Sequence, residues 1–595
     1  MSRIQPATIE TLFELYRAGD FGDLANRTRT LLAGHPRELV LHTLHGAACL
    51  ELGDYDGAME SYRAALAIRP GFAKAHNSLG IVYLRSGRLQ EAAGSFRNAI
   101  DNDARFAEPR FNLGIVCENG QRFREAAQQY EQAVALEPGY AKAWTALARV
   151  RWELGDHEPV AEGYRRALAA EGGLLEAHRG LLQFLEQSNR REESRDALGQ
   201  ARNALGADHP LVRLYEGLNA AAQGDYQAAR ERLESCGFDT ADSGGLHDER
   251  MRLAHLAAIC DGLDDAAGAM RHAAGANRLS KRASEVKGID KARFLGFVEK
   301  RRDYFRRENI RQWRPMRPDP DGAPSAGGNV PGLQADKAAN PEEPVFIVGF
   351  PRSGTTLLDA MLRGHPMIEV AEESDAAAAL VNRVSGVSDD GLASLGNLSR
   401  ATVDRARADY HDRLARHVQP SAANATVIDR FALNIVYAGE ILRVFPDARF
   451  ILMLRHPADC VLSAYLRTFT ETSANASFHT LEDAAFLYDR VFGLWKQFTQ
   501  VLAPRVLVVR YENLVQDAGE SCRAVLKFIG LPWRPAVLDH ERTARERPFI
   551  RTASYGQVIQ SLYSRASGRW LRYREFMEPV LPVLDPWIEQ FGYKR

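Results

Sequence analysis

The sequence predicts an all-α superhelical solenoid followed by an α/β domain built on a central parallel sheet. Two observations carry that prediction. From about residue 38 to about residue 173 the chain matches itself at a spacing of 34 residues. From about residue 343 onward, apolar runs of strand length alternate with helical patterns, the order that makes parallel sheets with nucleotide sites at the strand C-terminal ends.

The repeat is visible position by position. Gly46, Gly80 and Gly114 recur, as do Ala58, Ala92 and Ala126, the rings Tyr62, Phe96, Tyr130 and Tyr164, and Ala65, Ala99, Ala133 and Ala167. Pro70 and Pro138 fall two periods apart. Within a unit the apolar spacing is helical, with a break such as Ser86-Gly87 between two helices. Small residues fall where helices must approach closely, and the aromatics are expected to fill gaps between units. This pattern resembles the tetratricopeptide repeat. Weaker repeats precede it (Thr8 to His35) and follow it (Leu174 to Arg282), giving about seven units over residues 6–282. No unit buries its own apolar face, so stacking makes one solenoid. The resemblance implies a surface for a protein or peptide; a dimerisation or spacer role is the alternative.

Residues 283–342 read as charged helices and then a Pro/Gly-rich linker. The basic run from Lys300 to Glu308 is expected to be a solvated helix face.

The third segment, 343–595, opens with Val345-Phe-Ile-Val-Gly-Phe-Pro-Arg-Ser-Gly-Thr-Thr-Leu-Leu-Asp-Ala-Met-Leu-Arg363. A buried strand, a Gly/Pro loop and an apolar helix are expected in turn. Loop amides and a helix N-terminus cradle anions. A nucleoside-triphosphate loop would need Lys after its second Gly. Here Thr355 follows Gly354, and the cation comes earlier, at Arg352. That speaks against a kinase or NTPase.

The loop looks like the 5′-phosphosulfate loop of the sulfotransferases that use 3′-phosphoadenosine 5′-phosphosulfate (PAPS). The nearest likeness is to tyrosylprotein sulfotransferases and to bacterial proteins that join such a domain to tetratricopeptide repeats. The resemblance implies donor contacts from Arg352, Ser353, Gly354, Thr355 and Thr356. The family's 3′-phosphate landmark, an Arg at a strand end and a Ser eight residues on, is matched by Arg455 and Ser463 in Arg449-Phe-Ile-Leu-Met-Leu-Arg-His-Pro-Ala-Asp-Cys-Val-Leu-Ser463. Arg467 is four residues further, expected on the same helix face. The chemistry agrees: two separate anions need two cationic sites. Tyr511, closing the strand from Val506, and Ser554, in a C-terminal loop, match further donor contacts.

Sulfuryl transfer needs a base for the acceptor hydroxyl and cations for the moving group. The family's Glu pair matches Glu372 and Glu373, and the second supplies the base. Adjacent strand carboxylates point opposite ways, so only Glu373 is expected to face the site. Arg430 stands where the related enzymes carry Lys, and Gln560 replaces another Lys. Arg keeps the charge but cannot readily donate a proton. Arg565 or Arg569 are candidates to supply the cation that Gln560 lacks. The catalytic set is therefore Glu373, Arg430 and Arg352. His365 and His456 read as structural.

Composition sets the remaining limits. The chain has 595 residues, 45% hydrophobic and 26% charged, with net charge −1. Near-neutrality opposes nucleic-acid binding as the main task. Six dispersed cysteines suggest a reducing compartment with no disulfide frame or zinc site. No apolar run is long enough to span a membrane, and the N-terminus lacks a signal segment. The expectation is a cytoplasmic sulfotransferase with PAPS as co-substrate, no metal, and a hydroxyl-bearing acceptor: a tyrosine, a glycan or a small molecule. The alternative is a repeat scaffold with a degenerate nucleotide domain.

Overall fold

In the computed structural model, residues 4–311, 313, 343–386, 391–418, 425–545 and 567–595 are described. The chain forms two compact units, Met1–Val212 and Arg213–Arg595.

The first unit is a run of antiparallel helices from Pro6–Ala18 to Arg191–Leu205. Its turns follow from local chemistry. Gly53 adopts φ 79°, a region that glycine enters without steric cost. Asp54 then caps helix Tyr55–Ile68, accepting from Gly57 N at 2.9 Å. Gly19 and Asp20 repeat the device before helix Phe21–Gly34. The recurring glycines have a different task. A Cβ on Gly46 or Gly80 would lie 2.9 or 2.5 Å from the ring of Tyr62 or Phe96, and one on Gly114 would collide with the ring of Tyr130 in the same way. Each ring therefore seats on the glycine of its own helix pair rather than filling a gap between units. Position 148 carries Ala, and Tyr164 instead covers Gly180 of the following helix.

The second unit contains the sheet. Five strands, β1 (Val345–Gly349), β2 (Ile368–Glu372), β3 (Thr426–Arg430), β4 (Arg449–Leu454) and β5 (Arg505–Arg510), are all parallel in the order β2-β3-β1-β4-β5. Both faces are covered, which is why β1 and β4 read as unbroken apolar runs. Phe346, Val348, Phe450 and Leu452 point into the larger core, with helices Leu481–Leu502 and Leu581–Gln590. Val345, Ile347, Ile451 and Met453 point into the smaller one, with helices Thr355–Leu362 and Ala518–Ile529.

Helices Ser243–Gly262, Ala266–Val286 and Lys291–Tyr304 belong to this same unit. Asn277 Nδ2 donates to Tyr465 O at 3.0 Å, and Arg250 pairs with Glu471 at 2.7 Å. The run from Lys300 corrects its expectation. Arg301 is buried against Glu440 at 2.5 Å, and Phe305 is buried in the larger core. Only part of this segment is a solvated face, because Val298, Arg301 and Phe305 lie on one helical stripe that packs inward.

Candidate functional site

Strand order in the sheet reverses around β1: its successor β2 lies at one edge, β3 returns between them, and β4 takes the other side. Such a switch opens a crevice at the strand C-terminal ends. The five strands deliver candidate residues there. The loop Phe350–Gly354 follows β1, Glu372 and Glu373 close β2, Arg430 ends β3, Arg455 follows β4 and Tyr511 follows β5.

The loop is tightly specified. Arg352 has φ 73°, and Gly354 has φ 105° as N-cap of helix Thr355–Leu362. A positive φ at Arg is costly and held only by its surroundings. Here both ends of Arg352 are held: its Nε donates to Ser463 Oγ at 3.2 Å, and its carbonyl accepts from Arg455 Nη1 at 3.1 Å. The two anion landmarks, 103 and 111 residues apart in sequence from Arg352, thus meet at one side chain. A Cβ on Gly354 would lie 2.6 Å from Tyr511 Cδ2, and one on Gly349 2.6 Å from Met453 O. Only glycine lets the loop lie this close to β4 and Tyr511. Tyr511 also faces the Arg455 guanidinium, 4.8 Å from ring centroid to Cζ. Glu512 fixes that turn by accepting from His456 N at 3.0 Å and Tyr593 OH at 2.9 Å.

Arg455 is buried, which opposes its charge, but Asp459, Cys460, Tyr511 and Glu512 outweigh burial and raise its pKa. Ser353, Thr355, Thr356 and Ser463 are buried beside these cations. Ser353 Oγ is buried with no hydrogen-bond partner among the described residues. The set of two guanidiniums, hydroxyls, first-turn amides and a ring fits a nucleotide carrying separate anionic groups. No group of three or more metal-ligating side chains occurs among the described residues.

Across the crevice, Arg430 is 2% exposed. Its Nη2 pairs with Glu372, its Nε with Asp359 at 3.3 Å and its Nη1 with Glu373 at 3.7 Å. Burial works against this charge, but Glu372, Asp359 and Glu373 prevail, and the pKa is raised. The expectation that the two glutamates point apart needs correction. Strand geometry ends at Glu372, and Glu373 turns through φ 50° while its N–H bonds Arg430 O at 2.9 Å. Both carboxylates therefore reach Arg430. They differ in access: the Glu373 side chain is 41% exposed and that of Glu372 10%.

Arg467 is also placed differently from expectation. Helix Pro457–Tyr465 stops before it, so Ser463 and Arg467 share no helix face. Arg467 lies beside His255, whose pKa is pushed down to about 4 by burial and then by this arginine. It lines a small cavity with Asn277, Ser280 and Glu471. Ser554, Gln560 and Arg565 lie outside the described residues. Arg569 is engaged elsewhere, with Asp261 at 3.0 Å. His365 and His456 each accept a backbone N–H at Nδ1 and reach a carbonyl through Nε2 at 3.0 Å, a structural arrangement.

Two buried acids are absent from the set that sequence motifs single out. Asp359, on the loop helix, is wholly buried between Arg430 and Arg363. Asp429, beside Arg430, accepts from Tyr410 OH, Ser374 Oγ and Asn434 Nδ2 at 3.2, 3.3 and 3.2 Å. Their signal is an acid inside an apolar element, Leu-Leu-Asp-Ala-Met and Val-Ile-Asp-Arg.

Residues 344–535 match the sulfotransferase family model, and residues 46–87, 77–122 and 111–174 match tetratricopeptide-repeat models. Matches to tetratricopeptide-repeat models are thus followed in this chain by a match to the sulfotransferase family model. A stretch covering 42% of the chain also has curated relatives. Protein-tyrosine sulfotransferase 1 of Danio rerio is 28% identical over 262 residues, 42% of this chain and 72% of that protein. The protein-tyrosine sulfotransferase of Drosophila melanogaster is 27% identical over 278 residues, 42% and 53% of the two chains. An uncharacterised Aquifex aeolicus protein is 26% identical over 269 residues, 42% of this chain and 35% of that one. This chain thus spans about a third of the Aquifex protein and about half of the Drosophila one. Among solved structures, the type IV pilus biogenesis factor PilW aligns over 34% of this chain and 95% of its own, at 18% identity and TM-score 0.31. MamA aligns over 27% and 93%, at 24% identity and TM-score 0.25. No described helix is long and apolar enough to cross a membrane.

Proposed function

We propose that the sulfotransferase domain, residues 343–595, moves a sulfuryl group from PAPS to a hydroxyl acceptor, and that the repeats over 6–282, joined through 283–342, bind the acceptor or a partner. The observation that carries this reading is the meeting of Arg352, Arg455, Ser463 and Tyr511 at one crevice, with Arg430 and Glu373 on its other wall.

PAPS, when bound, supplies the sulfuryl group and departs as adenosine 3′,5′-bisphosphate. Arg455 and Ser463 hold the 3′-phosphate, with Tyr511 against the nucleotide. The loop from Arg352 to Thr356 holds the 5′ end through amides, hydroxyls and one guanidinium. Glu373, the more exposed carboxylate, takes the acceptor's proton; at 3.7 Å from Arg430 Nη1 it sits beyond a full hydrogen bond. Arg430 and Arg352 offset charge on the transferring group. Because Arg430 stays protonated, its part is electrostatic rather than proton donation. The relatives' names favour a protein tyrosine as acceptor; a glycan or small-molecule hydroxyl fits the same chemistry. Six free thiols, five of them buried, suit a reducing cytoplasmic setting. The second reading, a repeat scaffold with a degenerate nucleotide domain, draws on Arg430 being held by three carboxylates.

Calorimetric titration separates the two. Adenosine 3′,5′-bisphosphate should bind, ATP and 5′-AMP should bind far more weakly, and Arg455→Ala should abolish the preference. Equal binding of ATP, or none of any nucleotide, sinks the PAPS reading. Binding followed by sulfuryl transfer to a tyrosine peptide or a glycan panel would name the acceptor class.

A further inference from the structure

Asp359 sits in the middle of a helix whose eight residues are all buried, and it is itself 0% exposed. An ionised carboxylate at such depth is unfavourable unless cations compensate it. Two do. Arg363 Nε approaches it at 2.5 Å from the C-cap of the same helix, and Arg430 Nε approaches it at 3.3 Å from the end of β3. Arg363 is in turn fixed, its Nη2 donating to Val370 O on β2 at 2.6 Å. The carboxylate is thus tied to the loop helix, to β2 and to β3 at once.

The geometry at Arg430 shows what this does. A guanidinium is a planar fork, and one contact leaves it free to swing about its long stem. Glu372 takes the Nη2 corner and Asp359 the Nε edge. These are ion-pair contacts without aligned hydrogen bonds at Nε or Nη2, but charge attraction at two corners of a 2% exposed guanidinium restricts its plane and leaves Nη1 as the corner turned toward Glu373, on the exposed side of the site. Holding only Glu372 would leave rotation about that contact.

We infer that Asp359 is a positioning residue for sulfuryl transfer: by clamping Arg430 Nε it aims Nη1 at the reacting centre, and so makes an arginine serviceable there. This inference rests on the sulfotransferase reading. It assigns Asp359 no contact with donor or acceptor, so its effect belongs in kcat and not in donor binding.

The test uses the full chain with Asp359→Asn, and Asp359→Asn/Arg363→Gln as a charge-balanced second variant that carries the test if the single one does not fold. Misplacing a reacting group by about 1 Å costs on the order of 100-fold in rate, so kcat should fall about 10- to 100-fold. The affinity for adenosine 3′,5′-bisphosphate and the donor KM should stay within about twofold. A second readout is independent of turnover. In ¹⁵N-arginine-labelled protein, the Arg430 Nε–H resonance, assigned by its loss in Arg430→Lys, should be protected from exchange in the wild type and lose that protection in either variant. An active wild type whose variants keep kcat, or keep the protected resonance, overturns the inference alone. A wild type that transfers no sulfuryl group to any acceptor class overturns the reading and the inference with it.

Discussion

Replacing Asp429 with Asn should make the protein more stable at pH 8 and change little at pH 4. Asp429 is wholly buried, and burial pushes its pKa from the usual 3.8 to about 7 against the bonds from Tyr410, Ser374 and Asn434 and the pull of Arg430. Well below 3.8 the folded and unfolded chains both hold the proton, and the group contributes no difference. Between about 4 and 7 the folded chain keeps the proton and the unfolded chain loses it, so stability falls as pH rises. Above 7 the whole penalty is present. A tenfold change in proton affinity is ~1.4 kcal/mol, so the move from 3.8 to about 7 amounts to roughly 4 kcal/mol, an order-of-magnitude ceiling. Asn carries no such penalty and keeps the bonds. Its Oδ1 accepts from Ser374 and Asn434, as Asp429 Oδ1 does, and its amide donates to a Tyr410 hydroxyl turned around. Thermal melts of the two proteins at pH 4, 5, 6, 7 and 8 should show Asp429→Asn gaining on the wild type with pH, by about 5 °C overall. A difference that is flat in pH, or that shrinks as pH rises, would refute the assignment of a neutral buried carboxyl.

Three further outcomes follow from the packing. Gly354→Ala places a Cβ 2.6 Å from Tyr511 at a backbone φ of 105°; affinity for adenosine 3′,5′-bisphosphate should fall at least ~10-fold, for a strain of about 1–3 kcal/mol plus the displaced ring, and unchanged affinity by calorimetry would remove the loop from the donor site. Glu440→Gln strands the buried Arg301 charge; loss of one partner from a buried pair costs about 3–5 kcal/mol, so a melting temperature within a degree of wild type would show the pair is not an ion pair in solution. A fragment beginning at residue 343 should be unstable or aggregate, because it lacks Val298 and Phe305 of the larger core, while one beginning at residue 213 should melt cooperatively; a well-folded shorter fragment would mean that helix Lys291–Tyr304 is dispensable.

Much of the site is legible in the sequence because its chemistry is local there. An apolar run, a Gly/Pro loop and an apolar helix specify β1, the anion loop and its helix within nineteen residues. The Arg455–Ser463 spacing likewise lies inside one strand–helix unit. Other features are illegible for stateable reasons. No Gly or Pro marks the end of helix Pro457–Tyr465, so nothing in Ala464-Tyr-Leu-Arg467 announces that Arg467 has left its face. The turn at Glu373 needs a positive φ that sequence usually advertises with Gly or Asn, and here a Glu is held in it by Arg430 O. Asp359 and Asp429 depend on partners 71 and 19 residues away, Arg430 and Tyr410, which periodicity cannot see. Lys291–Tyr304 reads as a charged helix, and nothing in that charge pattern shows that Val298 packs into the sheet domain's core.

The glycine-and-ring seating in the first unit has a consequence for how such a chain can change. In the pairs Gly46–Tyr62, Gly80–Phe96 and Gly114–Tyr130 the hollow and the ring that fills it lie on two helices joined by one short turn. Each helix pair is therefore a self-matched cassette. Whole pairs can be duplicated, deleted or exchanged without carving a new hollow elsewhere. Splitting a pair leaves a ring without a seat on one side and a void on the other. Tyr164 marks where this pairing changes phase: its seat, Gly180, belongs to the next helix, so a graft that ends between the two would fail where one ending after Gln187 would hold.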